Sequence, residues 1–319
     1  MSQKTRLEHD SMGELQVPAD ALYGAQTQRA LQNFGISTYV MPHEFVTALA
    51  LIKAAVASAN GELGHLKKSQ AAAITKAAVQ VAEGKWREQF PLDVFQTGSG
   101  TSSNMNANEV IATLASKASK LKIHPNDHVN AGQSSNDVIP SAIQVSASLV
   151  LHMDLLPALK YLRIIVDKRA RELGKVVKTG RTHLMDAMPL SFGQELSGWS
   201  AQITSSIERF EDTGKRLQNL PLGGTAIGTG VNADPKMPRL ACQYLKKRTG
   251  IKFSEAKNKF ESIAAQDHIV ELSGQCNALA TCLMKISNDL RWMNSGPLAG
   301  LGEIELKALQ PGSSIMPGK

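Results

Sequence analysis

At 319 residues, 42% of them hydrophobic, the chain is long enough to bury a large core, and two domains are the expectation for its length. Its net charge of +7 is spread among acids, with no arginine–aromatic interleaving of the kind that grips nucleic acid. Cys242, Cys276 and Cys282 lack C-x-x-C spacing, which argues against a disulfide framework and against a zinc or iron–sulfur site.

The first residues, Met1 to Asp10, are polar and charged, so no secretory signal is expected. No apolar run approaches the ~20 residues that cross a bilayer. A cytoplasmic protein without membrane contact is the resulting expectation. Aromatics make up only 5% of the chain while alanine and leucine are plentiful, a composition that favours helices packed on helices.

In chain order, Val17-Pro18-Ala19-Asp20 and Tyr23-Gly24 read as loop or extended structure. Residues 43–60 and 69–83 carry helical spacing, with Phe45, Leu49, Ile52 and Val56 on one face. The stretch 136–173 predicts a long helix, with Pro140 near its start and a kink at Pro157. Another is predicted over 193–219. The run 261–293 contains one glycine and no proline, and as a continuous helix it would span about 50 Å. Apolar residues on more than one face of these helices suggest burial on several sides, in a subunit interface or a large core. Lys246-Lys247-Arg248 reads as a solvated helix end.

Function is expected in the polar connections between helices. Thr97-Gly98-Ser99-Gly100-Thr101-Ser102-Ser103-Asn104 leads into a helix predicted from about Asn106. Hydroxyls and glycines before a helix N-terminus suit a carboxylate or phosphate, although an isolated run of this kind is also an ordinary cap. It is neither a dinucleotide fingerprint nor a P-loop. Gly223 to Gly230 fails the same tests and reads as a structural loop. Gln133-Ser134-Ser135-Asn136-Asp137 repeats the donor-rich pattern before the next long helix. His124 and His128 lack the further ligands a metal would need. Thr179 to Pro189 places His183 among turn residues, where a lone histidine is either structural or an acid–base group. Gly312-Ser313-Ser314-Ile315-Met316-Pro317-Gly318-Lys319 is a further flexible loop, with hydroxyls and a terminal ammonium. Three donor-rich loops with one histidine describe a site for a small polyanion, worked by acid–base chemistry without a cofactor.

Together these segments resemble the fumarase/aspartase superfamily, and most closely its class II fumarases. The resemblance runs from Asp10-Ser11-Met12-Gly13 and Tyr23 to Gln28 through to the last residue. It is most diagnostic at Gly98 to Glu109, His124 to Asp127, Ser134 to Asp137, Gly180 to Asp186 and Gly312 to Lys319. Gly180-Arg181-Thr182-His183 is similar to fumarases, whereas aspartases usually carry glutamine where His183 stands. The resemblance implies a mainly α fold, with a mixed N-terminal domain over 1–133 and a long-helix central bundle over 134–319. The C-terminal part of that bundle and a small C-terminal domain are absent from the sequence.

It also implies reversible hydration of fumarate to (S)-malate without a metal or other cofactor, in a homotetramer whose sites gather loops from three subunits. By this resemblance Ser313 is the base and His183 acts on the water. Lys319 and Ser134, Ser135 and Asn136 hold the substrate carboxylates, and Ser99, Gly100, Thr101, Thr182 and Ser314 complete the donor shell. His124, Pro125, Asn126 and Asp127 are similar to the secondary dicarboxylate site of class II fumarases. Gly132 stands where members commonly have serine, which should affect loop stiffness more than chemistry. Two alternatives remain: a remnant or subunit that folds or assembles without turnover, and a related lyase such as an aspartase, against which His183 argues.

Overall fold

The computed structural model describes residues 4–316. Thr5–Asp10 (β1) and Gly13–Pro18 (β2) pair antiparallel, and Ala25–Asn33 (α1) follows. His43–Leu63 (α2) and Lys68–Ala82 (α3) are the long helices of this region, joined by a turn at Gly64, whose φ of 84° ends α2 in the left-handed conformation. A Cβ on Gly61 would stand 2.5 Å from that of Ala71, so the bare backbone at Gly61 sets how closely α2 and α3 approach. Thr101–Ser119 (α4) and Ser135–Val150 (α5) join the same core.

A π-helical turn over Leu151–Leu155 separates α5 from Leu156–Glu172 (α6). The irregularity predicted at Pro157 therefore falls one turn earlier. Pro157 is the second residue of α6, just after the π-helical turn, where the helix accommodates a residue without an N–H. Val177–Thr182 (β3) and Met185–Ser191 (β4) form a second hairpin. Phe192–Leu217 (α7) comes next, then Asn219–Leu220 (β5), Met237–Thr249 (α8) and Ser254–Glu255 (β6), with β5 and β6 parallel. The basic run 246–248 is the exposed last turn of α8.

The helix predicted over 261–293 is two helices, Lys259–Ala264 (α9) and Asp267–Met293 (α10). Ala265 is extended at the break, with φ −138° and ψ 156°. Asn258 Oδ1 caps α9 by accepting the N–H groups of Phe260 and Glu261. At 27 residues α10 is about 40 Å long.

The chain divides into two compact units, 4–154 with 213–270 and 155–212 with 271–316. The first has a continuous core of small and branched side chains, among them Leu49, Ile52, Val56, Ile74, Val110, Ile111, Val138 and Leu245. Each such side chain contributes roughly 1.5–3 kcal/mol by leaving water. The second is more open, with Phe192, Trp199 and Met293 clustered together. By length and composition α2 could cross a membrane, contrary to the reading that no apolar run was long enough. Its alanines raise the average without forming an unbroken run, and most of the helix is buried inside the first unit, with Lys53 at its middle.

Candidate functional site

In the first unit both donor-rich runs open helices. α4 begins at Thr101 rather than near Asn106, so Ser103, Asn104, Asn106 and Asn108 are buried helical residues. The buried amides of Asn104 and Asn106 are bonded to neighbouring segments. Asn106 Nδ2 donates to Gln89 O at 2.9 Å, and Asn104 Nδ2 donates to both Asn130 Oδ1 and Ser135 Oγ. Gly100 is the N-cap, with φ 65°, and a Cβ there would meet Ile139 at 2.9 Å. The turn needs glycine for its backbone and for its clearance. Thr97, Ser99 and Thr101 form an exposed chain of hydroxyls with 2.9 Å between successive oxygens. This surface presents hydroxyl donors at the positive end of a helix.

Ser134 is the N-cap of α5. Its hydroxyl accepts the Asn136 N–H at 3.2 Å, and its own N–H donates to Asp137 Oδ1 at 2.9 Å. The second oxygen of Asp137 accepts from Gly223 N at 2.8 Å and Thr225 N at 3.0 Å. This makes 223–230 the support of the α5 terminus, in keeping with its reading as a structural loop. Burial raises the Asp137 pKa against the pull of these three N–H groups and of Lys53. Asn136 is exposed and donates to Ala226 O at 2.8 Å. The 3.1 Å bond from Asn104 to Ser135 brings the two helix starts together.

His124 and Asp127 belong to a π-helical turn, Pro125–Val129. His124 Nδ1 accepts the Asp127 N–H at 3.1 Å, and His128 Nδ1 accepts the His124 N–H at 2.8 Å. These imidazoles close the turn on itself. His124, Pro125 and Asn126 line a cleft of about 620 Å³ with His9, Lys117, Glu8, Asp10 and Glu109. His9 and Lys117 favour an anion there and the carboxylates oppose one. Asp10 is held below the usual carboxylate range by its hydrogen bond to Arg29. Glu109 is pushed up by burial, although Gly24, Gln26 and Thr27 all donate to it.

In the second unit, Thr182 and His183 sit at the tip of the β3–β4 hairpin. Thr182 pairs with Met185, leaving a two-residue loop of His183 and Leu184 with φ 54° and 62°. Positive φ at both central residues is the type I′ geometry, normally given to Asn-Gly. A histidine and a leucine there are strained, and strain retained at an exposed residue is a pointer to function. The sequence carries no hairpin signal at this point, which is why 179–190 reads as a plain connection. Gly180 is required by the bulge between Thr179 and Arg181, since a Cβ would meet Met188 O at 2.5 Å.

Glu303 ties the segment after α10 to this hairpin. It pairs with Arg181 at 2.7 Å and with Lys178 at 3.1 Å, while Lys178 also pairs with Glu195. Burial pushes the Glu303 carboxyl up, but its bonds to Arg181 and Lys178 prevail and hold it below its ordinary value. Ser313 is exposed, and its carbonyl and hydroxyl oxygens both accept the Met316 N–H, at 3.1 and 3.2 Å. Ser314 is exposed beside it. Lys319 lies outside the described residues. Lys53 and Asn130 lie outside every motif, while Asn104 and Gln133 stand at the edges of the two donor-rich runs without a role of their own there. The one sequence signal at the first two is a lysine inside the run Leu51-Ile52-Lys53-Ala54-Ala55.

A family profile described as lyase matches residues 13–319. Over 318 residues the chain is 67% identical to a class II fumarate hydratase of Xylella fastidiosa, an alignment covering 100% of this chain and 67% of that one. A class II fumarate hydratase of Thermus thermophilus is 51% identical over 322 residues, covering 98% of this chain and 69% of the relative. The crystal structure of recombinant class II fumarase from Schistosoma mansoni superposes with a TM-score of 0.96 at 40% identity, covering 99% of this chain and 71% of that one. The chain belongs to this lyase family and, within it, to the class II fumarases. It spans about two thirds of the length of these relatives.

Proposed function

We propose that the chain is a fumarate hydratase subunit that interconverts fumarate and (S)-malate, the hydration step of the tricarboxylic acid cycle, by acid–base chemistry without a metal. The observation that carries this reading is the pair of hydroxyl-lined helix starts in the first unit, Ser99 to Thr101 and Ser134 to Asn136, joined through Asn104. They offer neutral donors and two helix N-termini to a dianion. Taking a proton from carbon beside a carboxylate places extra negative charge on that carboxylate, so fixed donors lower the barrier most where that charge develops.

In this reading Ser134, Ser135, Asn136 and Lys319 hold the carboxylates, and Ser99, Gly100, Thr101, Thr182 and Ser314 supply further donors. Ser313 removes the proton, and His183 gives a proton to the departing hydroxide or takes one from attacking water. Serine is a poor base, so Ser313 depends on N–H groups around its oxygen. His124 to Asp127 form a secondary dicarboxylate site. The working form is a cytoplasmic homotetramer with sites shared between subunits, a reading favoured by the exposed apolar residues of α10.

The low burial of α10 also suits a second reading, a subunit that assembles without turnover. Malate given to the purified chain separates the two through the ultraviolet absorbance of fumarate. Fumarate should appear, and His183→Asn should lower its rate by at least about a hundredfold. An assembled chain that leaves malate untouched supports the second reading, and near-normal dehydration by the variant removes His183 from the mechanism.

A further inference from the structure

We infer that Lys53 is a positioning residue for the anion site: its buried side chain holds the segment carrying Ser134, Ser135 and Asn136 against the first turn of α4. The inference rests on the proposed hydration of a dicarboxylate and adds a residue that itself touches no substrate.

Lys53 lies at the middle of α2 with 0% of its surface exposed. A lysine so placed must have its donors met by the protein, because water cannot reach them. Nζ donates to Asn130 Oδ1 at 2.8 Å and to Gln133 Oε1 at 3.0 Å. Both acceptors belong to the turn that leads into Ser134. The opposite ends of the same amides fix that turn, since Asn130 Nδ2 donates to Gln133 O at 3.3 Å and Gln133 Nε2 donates to Val129 O at 2.9 Å. Asn130 Oδ1 also accepts from Asn104 Nδ2 at 3.2 Å, and Asn104 donates to Ser135 Oγ at 3.1 Å. One chain of bonds therefore runs from the middle of α2 through the 129–133 turn to α4 and the first residue of α5.

Two amide oxygens are turned toward Lys53, and an apolar side chain in its place would leave both without that donor. Among the described residues no carboxylate pairs with Lys53 directly. Asp137 acts on it through space. Burial lowers the Lys53 pKa to about 7, against the opposing effect of Asp137. Loss of that proton does not release the tether, because a neutral amine keeps two N–H groups for its two acceptors.

Lys53→Met in the full chain keeps the length of the side chain and removes its donors. Amide hydrogen exchange across 130–136 should quicken by about tenfold, with α3 unchanged. The KM for malate and the dissociation constant of succinate, a dicarboxylate that cannot react, should rise together by about tenfold, with kcat falling less than about threefold. Lys53→Arg restores donors and should bring both constants back toward the original. If Lys53→Met does not fold, Gln133→Met removes one link of the same chain and should show the same local rise in exchange. Unchanged exchange at 130–136 in a folded variant overturns the inference, as does a rise spread evenly through the first unit. An unaltered chain that neither binds succinate nor makes fumarate counts against the proposed function, and exchange at 130–136 then decides the role of Lys53 alone.

Discussion

α2 and α10 are both long helices studded with apolar side chains, and their surroundings are opposite. Most of the 21 residues of α2 are buried, whereas in the 27 residues of α10 only Leu279 and Met293 are. On α10, Val270, Met284 and Trp292 are 70%, 66% and 55% exposed. α2 can be enclosed because alanine alternates with larger residues, so neighbouring helices approach it from several sides. α10 interleaves its apolar residues with Asp267, His268, Glu271, Lys285, Asp289 and Arg291. An apolar helix surface of this kind is made to be covered. In the proposed tetramer, neighbouring subunits cover it.

The largest expected effect is a direct test of that contrast. Leu49→Ala, at a position 1% exposed, should cost about 3–4 kcal/mol of stability in a denaturant melt. Met284→Ala should cost less than about 0.5 kcal/mol in the isolated chain. A Met284 effect above about 1 kcal/mol that grows with protein concentration would show α10 buried in an assembly. The same small effect at every concentration would break the comparison, leaving α10 a solvent-facing helix.

Next in size is Glu109→Gln. The carboxylate accepts from the N–H groups of Gly24, Gln26 and Thr27 and from the Thr27 hydroxyl, at 2.6 to 3.2 Å. An amide at this point turns a donor toward donors, and a loss of about 2–3 kcal/mol is expected in the same melts. α10 contains no comparable buried carboxylate, so this cost belongs to the enclosed unit.

Lys53 provides a third test, through pH. Its pKa is about 7 in the fold, against an ordinary value of 10.5, so between those values the unfolded chain binds more protons than the folded one. Stability therefore rises with pH across that window. Relative to Lys53→Met, the unaltered chain should gain about 2 kcal/mol from about pH 7.5 to about pH 9. A flat difference would mean that Lys53 keeps its proton throughout.

What the sequence made legible follows from how local each signal is. Helical spacing over 43–60, 69–83 and 193–219 lies within single elements, and helices occupy those stretches. The run 261–293 broke at Ala265 because the Asn258 cap and the extended Ala265 act on individual residues, beneath the reach of periodicity. The Ser99 and Ser134 runs read as helix starts because a cap is a local motif. Glu109, Asp137 and Lys53 were invisible as a group, since their partners lie dozens of residues away and only packing brings them together. The hairpin over 177–191 was missed because His183-Leu184 occupies a turn that normally announces itself with Asn-Gly.

That turn gives the smallest effect and connects the open unit to chemistry. Leu184 is 71% exposed at φ 62°, so its side chain contributes little packing while its backbone carries strain. Leu184→Gly relieves a left-handed cost of about 1–2 kcal/mol, partly offset by the greater freedom glycine gives the unfolded chain. A net gain of about 0.5–1 kcal/mol is expected in thermal melts. Glycine also lets the tip of the hairpin sample more conformations, so on the proposed function malate turnover should fall as stability rises. Gain and loss together would mean that the strain at Leu184 holds His183 in a working direction. Gain with unchanged turnover would make the turn an ordinary imperfection of an exposed hairpin, and a loss of stability would mean that the freedom glycine gives the unfolded chain outweighs the strain at Leu184.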